Sequence, residues 1–363
     1  MLIVSQQDQP PLVSLADVVR NYQENGVKFL LQHGLNMRDL LHLDDCPEEP
    51  LLDFARQTVE RTSFVKADYH HLLSDLLVRV PYKQHLGEKA TLLSIYILLE
   101  HMSEPDPFMK LFLLEYVTQA YVSQVRALGH VRKVEPILDP VLPVVFYTGT
   151  RTWDKLADLS ELVKNGVALA EYLPGERWQP RFINLGALPD EKLKTGGVYL
   201  GQALRVLRDH RGRGEEFLQL FREVLTALDS MPAEEQQRWR ELLQFLLVIA
   251  YHGRTAPEQK ELQRLVDATV QHKRHKKETN QMSQTIAEAL EEKGKLAGIA
   301  EGEVRSRKET LKMLLHERFR KVSPEILATI DRTSNPTQLD EWLRNVLRAK
   351  TVRDVGIAKR PRN

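Results

Sequence analysis

Three short, nearly continuous apolar runs constrain this fold more than any other feature of the sequence. They occupy residues 71–80 (HLLSDLLVRV), 91–99 (TLLSIYILL) and 141–147 (VLPVVFY). Runs of this length, rich in strand formers, predict strands buried on both faces and therefore covered by helices. Pro81 ends the first run and Thr148-Gly149-Thr150 ends the third. Gly87, in the stretch between the first two, suits a hairpin. Helical patterns surround the strands. They cover residues 14–42, then 108–125 behind the start signal Glu104-Pro105-Asp106-Pro107, then 153–164. The PEEP turn at 47–50 leads into a short helix or irregular segment at 51–62. Residues 181–185 form a fourth candidate strand. Two adjacent strands followed by a helical crossover to a third define an α/β fold, a mixed sheet flanked by helices.

From Gly196 onward every pattern is helical, as at 200–207, 217–228 and 239–251. A basic cluster, Lys273-Arg274-His275-Lys276-Lys277, precedes a long polar helix through 283–318 that carries Gly294, Gly298 and Gly302. Spacing of four places these glycines near one face, and each weakens the helix by about 1 kcal/mol relative to Ala. Either another helix packs closely there or the segment is a loosely helical linker. Apolar spacing from Leu314 and Phe319 through Ile330, Leu339 and Trp342 predicts a last helical module. The expected organisation is a sheet domain with a helical extension over 1–250, a charged helical linker with the glycines over 251–310, a small module over 311–355 and a disordered basic tail over 356–363.

A chain of 363 residues exceeds one ordinary core. Its 51 Lys and Arg against 50 Asp and Glu leave a formal net charge of +1, so any nucleic-acid surface is a local patch. The single cysteine, Cys46, excludes an intramolecular disulfide and a zinc site built from several thiolates. The opening MLIVSQQDQPPL is not a secretory signal. The longest apolar stretches, 92–99 and 245–250, fall far short of the roughly 20 residues that span a bilayer. A cytoplasmic protein with no membrane association is expected.

Asp75 interrupts the first apolar run, and a carboxylate there is costly to bury unless paired or metal-bound. Glu100 directly follows the second. If those strands are neighbours, the two carboxylates converge at one sheet edge. Together with a backbone carbonyl, that of His101, and water, they form a plausible octahedral Mg²⁺ site, with Mn²⁺ as substitute. Such an ion activates water and offsets phosphoryl charge. Acids at strand ends are common, so this spacing alone is weak.

The motifs in order are more specific. SDLLVRVP (74–81), EHMSEPD (100–106), a helix with LFLLEYV (111–117) and LPVVFYTGTRTW (142–153) resemble the Rpn family of recombination-promoting nucleases, within the PD-(D/E)XK superfamily. The resemblance spans about residues 20–230, and LPDEKLKTGGVYLGQALRVL, the glycine-spaced helix and the terminal module are similar to family tails. It implies a restriction-endonuclease-like sheet, an all-helical C-terminal region, Asp75 and Glu100 as metal ligands, and DNA as a partner bound with low sequence specificity. The superfamily carries Lys two residues after the Glu, and many Rpn-like chains carry Gln. Here the position is Met102, which has no proton-transfer group. A residue on the next helix can compensate, with Lys110, Tyr116 and Gln119 as candidates, or the metal alone activates water. The family's N-terminal Asp followed by Phe-Lys appears in altered order, as Glu24-Asn25-Gly26-Val27-Lys28-Phe29, so Glu24 is only a hypothetical ligand. His70-His71 point to opposite faces and are structural, and His101 is better explained by a hydrogen bond ordering the strand end.

Three readings follow. The first is a Mg²⁺-dependent DNA endonuclease linked to recombination or mobile elements. The second is a catalytically degenerate nuclease fold that binds DNA or protein. The third is an assembly protein whose useful part is the C-terminal helices, with homo-oligomers formed through them. Lys273–Lys277 can clamp phosphates, though a solvated linker face is the favoured explanation.

Overall fold

A computed structural model of the protein describes residues 14–60, 63–65, 71–73, 75–83, 94–128, 137–173, 178–195, 199–212, 214–252, 254–319 and 321–357. Two compact units divide the chain at residues 287 and 288. The first begins with α1 (Leu15–Arg20), α2 (Tyr22–Leu31) and α3 (Gly34–Leu43). The single helical region expected over 14–42 is thus broken twice. Ser14 and Asp17 cap α1 reciprocally, and Asn21 ends it.

Five strands form the main sheet, in the order β1 (Thr58–Val59), β4 (Leu76–Pro81), β5 (Ser94–Met102), β6 (Val141–Tyr147) and β7 (Arg181–Asn184). The first two pairings, β1 with β4 and β4 with β5, are antiparallel. Those of β5 with β6 and β6 with β7 are parallel. The parallel step needs a crossover, which α4 (Met109–Leu128) supplies. Its Leu113 and Val117 pack on Leu77, Leu98, Val145 and Tyr147. Ile97, Leu98 and Leu99 of the central strand are fully buried, as a two-sided strand requires.

The run 71–80 is not one strand. Residues His71–Leu73 are β3, paired with β2 (Ser63–Val65) in a separate two-stranded sheet, and the main-sheet strand starts at Leu76. Asp75 is the break, because its carboxylate is engaged across to β5 rather than standing in a ladder. The second run extends further than its apolar pattern. Parallel pairing with β6 continues to Met102 opposite Tyr147, so Glu100, His101 and Met102 lie inside the strand. The expected helix at 153–164 shrinks to α5 (Leu159–Leu162). Trp153 is instead anchored in the apolar cluster under α4, and its carbonyl accepts from Asn184 Nδ2 at 3.1 Å.

Helices α6 (Asp190–Thr195), α7 (Tyr199–Arg208), α8 (Gly214–Asp229), α9 (Gln236–Tyr251) and α10 (Ala256–Thr269) complete this unit with the start of α11 (Lys273–Phe319). From Phe245 to Tyr251 every residue of α9 is buried, which makes it the centre of the helical layer. Lys273–Lys277, expected before the long helix, are its first turn. The second unit holds the rest of α11, α12 (Pro324–Arg332) and α13 (Pro336–Arg348), around Leu311, Leu315, Ile330, Leu339 and Trp342. A Cβ at Gly294, Gly298 or Gly302 would meet nothing within 4 Å. Among the described residues no helix packs closely on that stripe. The basic tail 358–363, His70 and the 84–93 connection lie outside the described residues.

Candidate active site

The register that places Leu76 opposite Leu99 brings Asp75 beside Glu100. The Asp75 backbone N–H donates to Glu100 Oε1 at 3.2 Å, and the His101 N–H donates to Asp75 Oδ2 at 2.8 Å. Each carboxylate is therefore held by the other strand's backbone. The two sit together where β4 begins and β5 ends.

Lys28, from α2, completes the group. Its Nζ lies 2.7 Å from Asp75 Oδ1, with both side chains mostly enclosed (17% and 22% exposed). Its arrival depends on how α2 is seated. Val27, Phe29, Leu30 and Leu31 are buried on either side of it. Gly26 lets α2 approach α9, since a Cβ there would fall 2.7 Å from the Phe245 ring. The side chain of Glu24 lies outside the described residues.

Electrostatics single out Glu100. Burial, and then the negative charge of Asp75, push its carboxyl up to about 8, although the Asp75 N–H and Lys28 act in the opposite sense. Without a further cation it is protonated at neutral pH. Burial lowers His101 to about 4, so its ring is neutral. Nε2 of that ring lies 2.8 Å from Thr148 Oγ1, and the Thr148 N–H donates to the Met102 carbonyl at 2.9 Å. These bonds tie the end of β5 to the loop after β6. Gly149 makes this crossing feasible, because a Cβ there would lie 2.2 Å from the Ser103 carbonyl oxygen. Burial, Glu100 and Asp75, in that order, raise the Tyr116 hydroxyl to about 12. Tyr116, on α4, therefore has both carboxylates in its charge environment.

The other sequence candidates go elsewhere. Met102 shares a strand face with Glu100 and packs against the apolar cluster of Leu98, Tyr147 and Trp153. Lys110 is fully buried but spans 2.5 Å to Asp158, because a buried ammonium requires a partner. Gln119 makes no hydrogen bond to either carboxylate. It lines a shallow groove along α4 with Leu111, Phe112, Leu114, Glu115 and Thr118. Lys28, in contrast, was not assigned from sequence. The available signal was the altered Phe-Lys order at residues 28–29.

The donor set can be compared with the ion it is expected to hold. Among the described residues no group of three His, Cys, Asp or Glu side chains converges. The site offers two carboxylates, hard oxygen donors, with the His101 carbonyl in the same strand. That fits a cation such as Mg²⁺, which binds through one or two carboxylates and keeps several waters, and not zinc. A cation at the pair would displace the Glu100 proton and stabilise its carboxylate.

Fold and site together define an α/β protein with an acidic pair and a lysine at the edge of a mixed sheet. The family model described as "Putative transposase, YhgA-like" matches residues 27–239, and the chain belongs to that family, the Rpn group. The match begins one residue before Lys28, includes Asp75, Glu100 and Tyr116, and ends inside α9. A transposase family links the chain to mobile elements and to DNA as a partner class. No solved structure matches the chain. No helix among the described residues is long and apolar enough to cross a membrane.

Proposed function

We propose that the protein is a Mg²⁺-dependent DNA endonuclease that hydrolyses phosphodiester bonds with low sequence specificity, in the recombination or movement of DNA elements. The observation that carries this reading is the convergence of Asp75, Glu100 and Lys28. Met102 removes the usual side chain from β5, and Lys28 brings an ammonium to the same carboxylates from α2. Asp75, Glu100 and the His101 carbonyl would hold Mg²⁺, or Mn²⁺ in its place. The bound ion supplies charge neutralisation at the phosphate and acidifies water. Lys28 then has two tasks on an incoming strand: it offsets phosphate charge and orients the attacking water. Tyr116 keeps its proton at working pH and can donate it to a phosphate oxygen. Glu100 must lose its proton before it can act as a ligand, so activity rises with pH and with cation concentration.

The competing reading is a nuclease fold that binds DNA or a protein without cutting. Met102, packed among apolar side chains, favours it. Plasmid cleavage in Mg²⁺ separates the two. Nicking or linearisation that Asp75→Ala and Glu100→Ala abolish, and that Lys28→Met lowers by roughly two orders of magnitude, is the expected result. Folded protein that cuts in neither Mg²⁺ nor Mn²⁺ would establish the binding module. Met102→Lys would then show whether one side chain accounts for the loss.

A further inference from the structure

Helix α4 is apolar on both sides. Its inner face covers the sheet, whereas its outer face, with Phe108 just before it, carries exposed Leu111 and Val125 and half-buried Val122, with Phe108 49% and Val125 55% exposed. An outer face on a monomer's surface helix is normally polar. These positions are also regularly spaced. Phe108, Leu111, Glu115, Thr118, Val122 and Val125 alternate in steps of three and four, which is the heptad period of a helix–helix seam. Nothing in the sheet uses this seam.

We propose that the outer face of α4 pairs with the same face of a second copy, antiparallel, about a two-fold axis between Glu115 and Thr118. The pattern is self-complementary, as an isologous contact demands. Reversing one copy sets Phe108 against Val125 and Leu111 against Val122. At the centre, Glu115 meets Thr118, so a polar layer lies between two apolar ones on each side. Charge agrees at the ends. Arg126, exposed and without an ion pair among the described residues, falls beside Asp106 of the other copy. Asp106 sits at the start of α4, where its Oδ1 accepts from the Phe108 N–H at 2.8 Å, and the helix N-terminus beside it also favours anions. A parallel pair would instead stack Arg126 on Arg126. The proposal concerns the surface alone and stands whether or not the protein cuts DNA. If it does cut, α4 connects the two acidic sites, since Tyr116 lies on the same helix.

Sedimentation velocity of the full chain over a micromolar dilution series is the test, with two variants. A dimer is expected, and Leu111→Glu/Val122→Glu should raise its dissociation constant by roughly 100-fold, with an unchanged circular dichroism spectrum because both positions lie on the outer face. Cysteine pairing checks the register independently of that variant's folding. Leu111→Cys and Val122→Cys should each stay uncrosslinked alone, because the two copies' thiols then stand about 16 Å apart at ~1.5 Å per residue. Mixed and oxidised, they should form a disulfide dimer. A monomer at every concentration, self-crosslinking of either single variant, or a dimer untouched by the double Glu substitution would each overturn the proposal. The last result would shift attention to the open glycine stripe of α11.

Discussion

Two of the ion pairs that tie the N-terminal helices to the rest of the first unit differ in kind. Arg238 of α9 and Asp39 of α3 are both buried, and every nitrogen of the guanidinium is used. Nε donates to Asn36 Oδ1 at 2.7 Å, Nη1 reaches Glu235 Oε2 at 2.8 Å, and Nη2 takes Asp39 Oδ2. Lys28 and Asp75 form the other pair at a partly open sheet edge, beside a carboxyl raised to about 8. The first arrangement is satisfied internally and asks for nothing more. The second retains a buried carboxyl that holds a proton at neutral pH unless a further cation takes its place. Satisfied buried charge serves architecture here, and a carboxyl with a strongly raised titration beside a second carboxylate marks the place where a ligand is expected.

The largest effect should come from breaking the architectural pair. Asp39→Ala is expected to cost about 3–5 kcal/mol, because it strands a buried guanidinium. Urea unfolding would measure it. An Asp39→Leu/Arg238→Met double variant should recover most of the loss, and if it does not, the pair contributes more than mutual neutralisation. Glu100 should behave in the opposite way. Its folded-state carboxyl titrates above its unfolded value, so its contribution to stability is full below about pH 4.5 and is lost as pH rises toward about 8. In that window, without divalent cations, the loss approaches about 1.4 kcal/mol per pH unit. Glu100→Gln should remove this slope, and Mg²⁺ should flatten it in the unmodified protein. Equal slopes with and without Mg²⁺ would mean that no cation binds at the pair.

A smaller effect separates the two regions by pH on the acid side. Burial, with Arg238 second, lowers His33 to about 4, so the neutral ring stabilises the fold above about pH 6.5 and that stability is lost as pH falls toward 4. His33→Gln should make unfolding near pH 5 less acid-sensitive and leave the acidic site untouched. Smallest of all should be the stability change in Lys28→Met, about 1 kcal/mol or less for a partly exposed pair. Its signature is local instead. Because Lys28 lowers the Glu100 carboxyl, its removal should raise that titration further in carbon-detected NMR. An unchanged Glu100 titration would show that the lysine does not act on this carboxyl.

The apolar runs and the adjacency of β4, β5 and β6 were legible in the sequence, because burial on both faces leaves a local pattern, whereas β1 lay in a segment expected to be a short helix or irregular. Asp75 and Glu100 were legible for the same reason, as acids where the pattern predicts hydrocarbon. Their convergence followed from the strands being neighbours, and the family resemblance made the reading of them as metal ligands more specific. Several local features were not legible. The break at Asp75 depends on a hydrogen bond to another strand, and the extension of β5 to Met102 depends on its partner Tyr147. Lys110 looked available on the sequence and is consumed by Asp158.

What the sequence determined by itself was the class of fold, the two carboxylates and the loss of the usual side chain at Met102. Tertiary structure alone decided which cation stands beside those carboxylates. Lys28 is separated from Asp75 by 47 positions. Its place is set by the close approach of Gly26 to Phe245, the packing of α2 on α9 and the antiparallel register of β4 and β5. No local pattern encodes such a meeting, because contacts between distant segments exist only after the core that positions them has formed.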